Sequence, residues 1–256
     1  MKPSREDITV VIITKNESKT IRDVVTVWRR LAPVLVVDSH SWDDTVGEAK
    51  LGGADVISQR WLGFGKQKQF AVEAATTDWV LSIDADETPD DRLIKTMLSI
   101  DLEDPTISYL VNRETYFLGK KVKYCGWSRD FVLRLFHKRY GAFDSRIVHE
   151  KVIHQGQSRK LPGKLIHHSY INQSEVLRKT IRYARLSSQQ FQIDQKREPT
   201  TLRRILAPSW SVFKILILKA GILDGITGLK IAIMKYNETR RKYQLLAREY
   251  ANNSRR

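Results

Sequence analysis

The sequence has a single cysteine, Cys125, no internal repeat and no low-complexity tract. One cysteine cannot close an internal disulfide, so small bridge-held secreted scaffolds are excluded and a cytosolic setting is expected. A long unbroken apolar run is also missing. The longest apolar tract, residues 205–234, is interrupted by Pro208, Lys214, Lys219, Asp224 and Lys230, whereas a spanning helix needs about 20 largely uncharged residues. It is therefore expected not to cross a membrane. The opening MKPSREDITV lacks the extended hydrophobic region and small-residue cleavage site of a signal peptide, so export is not expected. Acidic residues are the last shortage: 29 Asp and Glu face 44 Lys and Arg, a formal charge of +15. Such an excess draws phosphate-bearing partners, whether nucleic acid, anionic lipid or lipopolysaccharide, without choosing among them. What remains is globular usage, 41% hydrophobic and 29% charged over 256 residues, enough for one large domain.

Along the chain, 8–13 is a short β-branched run suited to a strand buried on both faces, and 16–30 reads as a helix. Strand signals recur at 34–37, 55–58 and 79–83, with helices expected from the neighbourhood of Ser41, read as an N-cap, through Leu51, and near 67–75. The alternation predicts a mostly parallel, Rossmann-like sheet, whose ligands gather beyond the carboxyl ends of the strands. Thr14, Asp38 and Asp84 fall there. After Pro89 the β-like pieces at 107–112, 131–136 and 164–168 are less regular; 174–195 reads as a helix and Pro199 as a boundary. The organisation expected is one domain over 1–198, with halves at about 1–100 and about 101–198, followed by a basic, amphipathic, helical region over 199–256.

Chemistry is concentrated in Trp79-Val-Leu-Ser-Ile-Asp-Ala-Asp-Glu87, an apolar strand that delivers two carboxylates at its end. Carboxylate oxygens bind a hard cation such as Mg²⁺ or Mn²⁺, and that cation can neutralise a diphosphate leaving group. Asp86 is the first choice as direct ligand. Asp38, ending the second strand, could accept a hydrogen bond from the uracil or ribose of a nucleotide.

The stretches Val10-Val-Ile-Ile-Thr-Lys-Asn-Glu17, Val36-Val-Asp-Ser39, Gly63-Phe-Gly-Lys-Gln67 and Asp78-Trp-Val-Leu-Ser-Ile-Asp-Ala-Asp-Glu87 resemble family 2 glycosyltransferases in residues, order and spacing. Gly126-Trp127, Asp130, Leu133-Arg-Leu-Phe136, Val148-His-Glu150 and His167-His-Ser-Tyr170 resemble the subgroup that extends the lipopolysaccharide core, including its β-1,4-glucosyltransferases. The resemblance implies a GT-A fold, a nucleotide-activated donor, most simply a UDP-sugar, a divalent metal, and inversion at the anomeric carbon. By position it implies that Thr14, Asn16, Glu17 and Asp38 contact the nucleoside, that Lys66 lies near the base or phosphates, and that Asp84 and Asp86 serve ribose and metal.

Inversion requires a base opposite the leaving diphosphate. Asp130 is placed where relatives carry an acidic residue, although many show Glu-Asp where this chain has Arg129-Asp130; a purely structural Asp130 would pair with Arg129 or Arg134. Trp127 could stack on a sugar and Glu150 orient the acceptor. His149 could complete the metal site, with His167 competing for that role. The C-terminal tract mixes Trp210, Phe213 and 215–218 with Lys214, Lys219 and Lys230, as an interfacial element would. The expectation is a peripheral enzyme on the inner face of the cytoplasmic membrane, acting on a lipid-linked saccharide. A polyprenyl phosphate acceptor is the enzymatic alternative; a nucleic-acid-binding protein would leave Asp84 and Asp86 unexplained.

Overall fold

Seven residues of mainly β-branched character, Ile8–Thr14, form β1, and all seven are buried. The computed structural model describes residues 5–128, 130–194 and 198–253. After β1 come α1 (Ile21–Arg29), β2 (Val34–Asp38), α2 (Thr45–Leu51), β3 (Asp55–Ser58), α3 (Phe64–Ala74) and β4 (Trp79–Asp84). β1 lies parallel to both β2 and β4, with Thr14 beside Asp38 and Ile13 beside Asp84. The expected strand-end residues thus share one edge of the sheet. Alternation along β1 sends Ile8, Val10 and Ile12 to one apolar layer, and Val11 and Ile13 to the other. The first layer is closed by α1, whose Ile21, Val24, Val25 and Trp28 recur at one helical face; the second is closed by Ala71 and Val72 of α3.

Two local expectations are corrected. α1 starts at Ile21, not Asn16, because Asn16 takes a left-handed conformation (φ 57°) that no helix continues through. Ser41 does not cap α2, which begins after Asp44; its hydroxyl is taken instead by the Asp38 carboxylate.

Beyond β4 the chain forms β5 (Glu87–Pro89), α4 (Asp91–Ser99), β6 (Ile107–Phe117), β7 (Lys120–Lys121), β8 (Asp130–His137), β9 (Gly141–Phe143), β10 (Val152–His154) and β11 (Gln157–Tyr170). The mixed sheet runs β3-β2-β1-β4-β8-β6-β11-β5, with β7 attached to β6 and a separate β9–β10 pair. β8 is antiparallel to both β4 and β6. Antiparallel pairing carries Asp130 back beside Arg113.

The described residues group into two compact units. One runs to Glu114 and resumes through His167; the other comprises Thr115–Ser128 and the chain from His168. The second unit holds α5 (Gln173–Ile193) and α6 (Thr201–Phe213). A π-helical turn (Lys214–Leu218), a 3₁₀ turn (Gly221–Asp224) and α7 (Ile226–Asn253) follow. Asn172 and Thr200 cap α5 and α6 by accepting the backbone N–H of Glu175 and Arg203. Phe117, Cys125, Tyr170, Ile215 and Ile231 form the centre of this unit. The helix expected over 174–195 is α5; Gln195 lies outside the described residues. No helix among the described residues is long and apolar enough to cross a membrane.

Candidate active site

The loops after β1 and β2 are stitched together by side chains. The N–H of Asn16 donates to Ser41 Oγ at 2.8 Å and its Oδ1 accepts from the N–H of Trp42 at 3.0 Å. The N–H of Glu17 donates to Thr45 Oγ1 at 2.8 Å. Asp38, 1% exposed, accepts from both the N–H and the hydroxyl of Ser41. Asp43 accepts from Ser18 and Thr45, and these bonds outweigh the burial that would raise it, holding its carboxyl below the usual range. Thr14 stands apart. Its hydroxyl is buried at the strand edge with no hydrogen-bond partner among the described residues, and such an orphan is costly unless a ligand answers it.

Glycine explains how α3 reaches this edge. A side chain at Gly65 would place its Cβ 2.0 Å from the carbonyl oxygen of Asp144, so the first turn of α3 packs directly on the backbone of 144–146. Lys66 then lines an open cleft of about 300 Å³ with Leu62, Phe70 and Phe143. Two positions along a helix differ by about 200° in direction, and Lys68 points the other way, to the end of β4.

There a chain of charges threads the first unit. Lys68 Nζ lies 2.8 Å from Asp84 and 2.8 Å from Glu150. Arg134, 5% exposed, meets the other oxygen of Asp84 at 2.6 Å and Glu87 at 2.5 Å. Glu87 is fully buried, accepts the N–H of Asp84 and lies 3.6 Å from Arg113. Arg113 in turn donates twice, from Nε and Nη2, to Oδ2 of Asp130 at 2.9 and 2.6 Å. Burial alone would raise the Asp84 pKa, but Arg134 and Lys68 overcome it and hold the carboxyl well below its ordinary range. Burial likewise works against the charged Lys68 and Arg134, and their carboxylates outweigh it, so both stay cationic.

Asp130 therefore pairs with Arg113, not Arg134; Arg129 lies outside the described residues. Glu150 is brought into the cluster through Lys68. His149, just before it, is exposed with a left-handed backbone (φ 59°). Trp127 belongs to the second unit, where its ring stacks on Tyr170 at 6.5 Å and 9° and packs against Phe117.

Among the described residues no three His, Cys, Asp or Glu side chains gather as a metal site. Both oxygens of Asp84 are engaged by cations, one by Lys68 and one by Arg134. Asp86 Oδ1 lies 3.3 Å from His167 Nε2; a carboxylate oxygen fits either Mg²⁺ or Mn²⁺, and an imidazole nitrogen beside it fits the transition metal better than Mg²⁺. Burial lowers the His167 pKa and Asp86 more than restores it, leaving it raised.

Lys68, Glu87, Arg113 and Arg134 are absent from the sequence-level site. Arg134 carries a readable signal, a charge inside the apolar run Leu133-Arg-Leu-Phe136 that alternation turns opposite to its leucine neighbours. Arg113 carries none, because its partner is set by the β6–β8 register.

A glycosyl transferase family 2 model matches residues 9–160. An uncharacterized glycosyltransferase of Rickettsia prowazekii is 28% identical over 240 residues, covering 89% of this chain and 82% of that protein. The lipopolysaccharide core biosynthesis glycosyltransferase LpsC of Rhizobium meliloti is 25% identical over 261 residues, covering 94% of each. The mannosyltransferase PcManGT of Pyrobaculum calidifontis, solved with GDP-Man and Mn²⁺, has a TM-score of 0.50 at 16% identity over 96% of this chain and 88% of that one. The fold is of the GT-A type.

Proposed function

Because the chain belongs to glycosyl transferase family 2 and so moves a sugar from a nucleotide donor, we propose that it is a metal-dependent, inverting hexosyltransferase of lipopolysaccharide core assembly, most simply a glucosyltransferase using a UDP-sugar. The observation that carries this reading is the end of β4, where Asp84 is locked by Lys68 and Arg134 while Asp86 faces His167. The likeness to LpsC over nearly the whole chain supports the acceptor class.

In this reading the nucleoside lies along the β1–β2 edge, with the orphan hydroxyl of Thr14 and the Asn16–Glu17 loop against it and Asp38 holding that loop in shape. Asp86 and His167 would hold the divalent cation, which neutralises charge on the departing diphosphate. Asp84 orients rather than ligates. Asp130 takes the proton of the acceptor hydroxyl at Oδ1, since the two Arg113 N–H groups converge on Oδ2. Removing that proton as the sugar carbon is attacked from the side opposite the diphosphate gives inversion. Glu150 orients the acceptor, and Lys66 reaches the phosphates from its cleft.

The test is transfer from UDP-glucose to purified core lipid across a Mn²⁺ and Mg²⁺ titration, with Asp86→Ala and His167→Ala beside the native protein. Transfer that requires metal and is lost in both variants, with an unchanged circular dichroism spectrum, is expected. Full activity of the native protein in EDTA would refute the metal role, and transfer only to polyprenyl phosphate would refute the acceptor class.

A further inference from the structure

The second unit leaves its apolar residues outside. Of the thirteen residues of α6 only Pro208 is buried, although the helix contains two leucines, an isoleucine, a tryptophan and a phenylalanine. Exposure continues through the turns that follow: Trp210 is 57% exposed, Phe213 46%, Ile217 54%, Leu218 61%, Ile222 63% and Leu223 64%. Soluble surfaces rarely leave so many large apolar side chains together without a use for them.

The charges on the same tract are of one sign. Arg203, Lys214, Lys219 and Lys230 are exposed. Between residues 201 and 235 the only acid is Asp224, and its carboxylate is turned inward, accepting the backbone N–H groups of Lys123 and Tyr124 at 3.0 and 2.8 Å. The backbone holds the apolar residues out. Ala220 and Gly225 take positive φ values (50° and 58°) on either side of the short turn that carries Ile222 and Leu223, so this turn interrupts the helical path instead of extending it.

We infer that α6, the π-helical turn and the Gly221–Asp224 turn form a docking surface for an anionic lipid bilayer, entered to the acyl boundary by Trp210, Phe213, Ile222 and Leu223, with Lys214 and Lys230 at the headgroups. The surface lies on the membrane and does not cross it, since no helix among the described residues is long and apolar enough to do so. A second copy of the chain is a poorer occupant, because a symmetric contact would set this cationic surface against itself, whereas anionic headgroups complement it. The inference uses no residue of the catalytic cluster and stands whether or not the proposed reaction is correct.

Flotation of the full chain with phosphatidylcholine vesicles, with and without phosphatidylglycerol, tests it. The native protein is expected to float only with the anionic vesicles and to be released at 1 M salt, where the screening length falls to about 3 Å. Lys214→Gln with Lys230→Gln should weaken binding about 25-fold, about five-fold per lysine; Lys219 is left in place because its side chain lies over Gly126. Ile222→Ser with Leu223→Ser should abolish flotation. A fluorescent label on Ile222→Cys gives a second readout from one exposed position, and it should brighten and shift to the blue on anionic vesicles while a label on Glu103→Cys does not. The inference is overturned if the native protein ignores anionic vesicles, if the serine pair floats like the native chain, if the label at 222 does not respond, or if sedimentation shows a dimer that the serine pair dissociates.

Discussion

Arg134→Met removes the guanidinium that joins Asp84 to Glu87 inside the first unit. Glu87, 0% exposed, would keep only the N–H of Asp84 and an Arg113 contact at 3.6 Å, while Asp84 would keep Lys68 at 2.8 Å. Removing one partner of a buried ion pair costs about 3 to 5 kcal/mol, because the charge left behind cannot regain its water. That is a large share of the roughly 5 to 15 kcal/mol that holds a typical domain. With a urea slope near the upper value for small proteins, about 3 kcal/mol per molar, the unfolding midpoint should fall by about 1 to 1.7 M. Adding Glu87→Gln deletes the stranded charge, so the double variant should be more stable than the sum of the single losses by about 1 to 3 kcal/mol. Urea unfolding followed by circular dichroism, with the slope unchanged, measures both quantities. A single-variant loss below about 1 kcal/mol, the value of a surface pair, or strict additivity in the double variant, would refute the picture of a buried, coupled cluster.

Three further outcomes are expected. Asp130→Asn should keep donor affinity, measured calorimetrically, while turnover falls about 10²- to 10⁴-fold, the usual cost of a lost general base; near-native turnover removes Asp130 from the mechanism. Asp43→Ala should destabilise the chain at pH 7 by unpinning Ser18 and Thr45. Because the native carboxyl is held below its ordinary value, its contribution is complete above the unfolded value, about 3.9, and disappears as pH falls through the lower native one. The stability gap between variant and native, read by urea unfolding, should therefore close on acidification, and a gap that widens would be the wrong sign. Cys125, its thiol pushed up to about 12 by burial and by Asp224, should resist iodoacetamide at pH 8 in the folded chain and react promptly in urea, followed by mass spectrometry.

The strands buried on both faces were legible because their chemistry is continuous: the runs at 8–13, 34–37 and 79–83 each became a strand one residue longer at its polar end. Half-solvated strands were not. β6 and β11 read as five- or six-residue pieces but run for 11 and 14 residues, because stretches such as Asn112-Arg-Glu114 and Gln157-Ser-Arg-Lys160 carry no apolar pattern and owe their extension to pairing. Candidate residues at strand ends followed from topology, which gathers Thr14, Asp38 and Asp84. Their partners did not, since Lys68 is selected by helix rotation, and Arg113 and Arg134 by antiparallel register. A sequence shows a carboxylate long before it shows the cation that decides its role.

The bond between Asp224 and the backbone of Tyr124 spans 100 residues, and on a ribosome that separation is time. At about 5 to 20 residues per second, the segment around Gly126 and Trp127 waits roughly 5 to 20 s before its anchor is even polymerised. Until residues 215 to 231 have followed, Val122 and Cys125 lack the Ile215 and Ile231 of their cluster. Premature termination before residue 215 therefore leaves a nascent chain with a partly uncovered apolar segment in its middle, a ready substrate for chaperones and proteases.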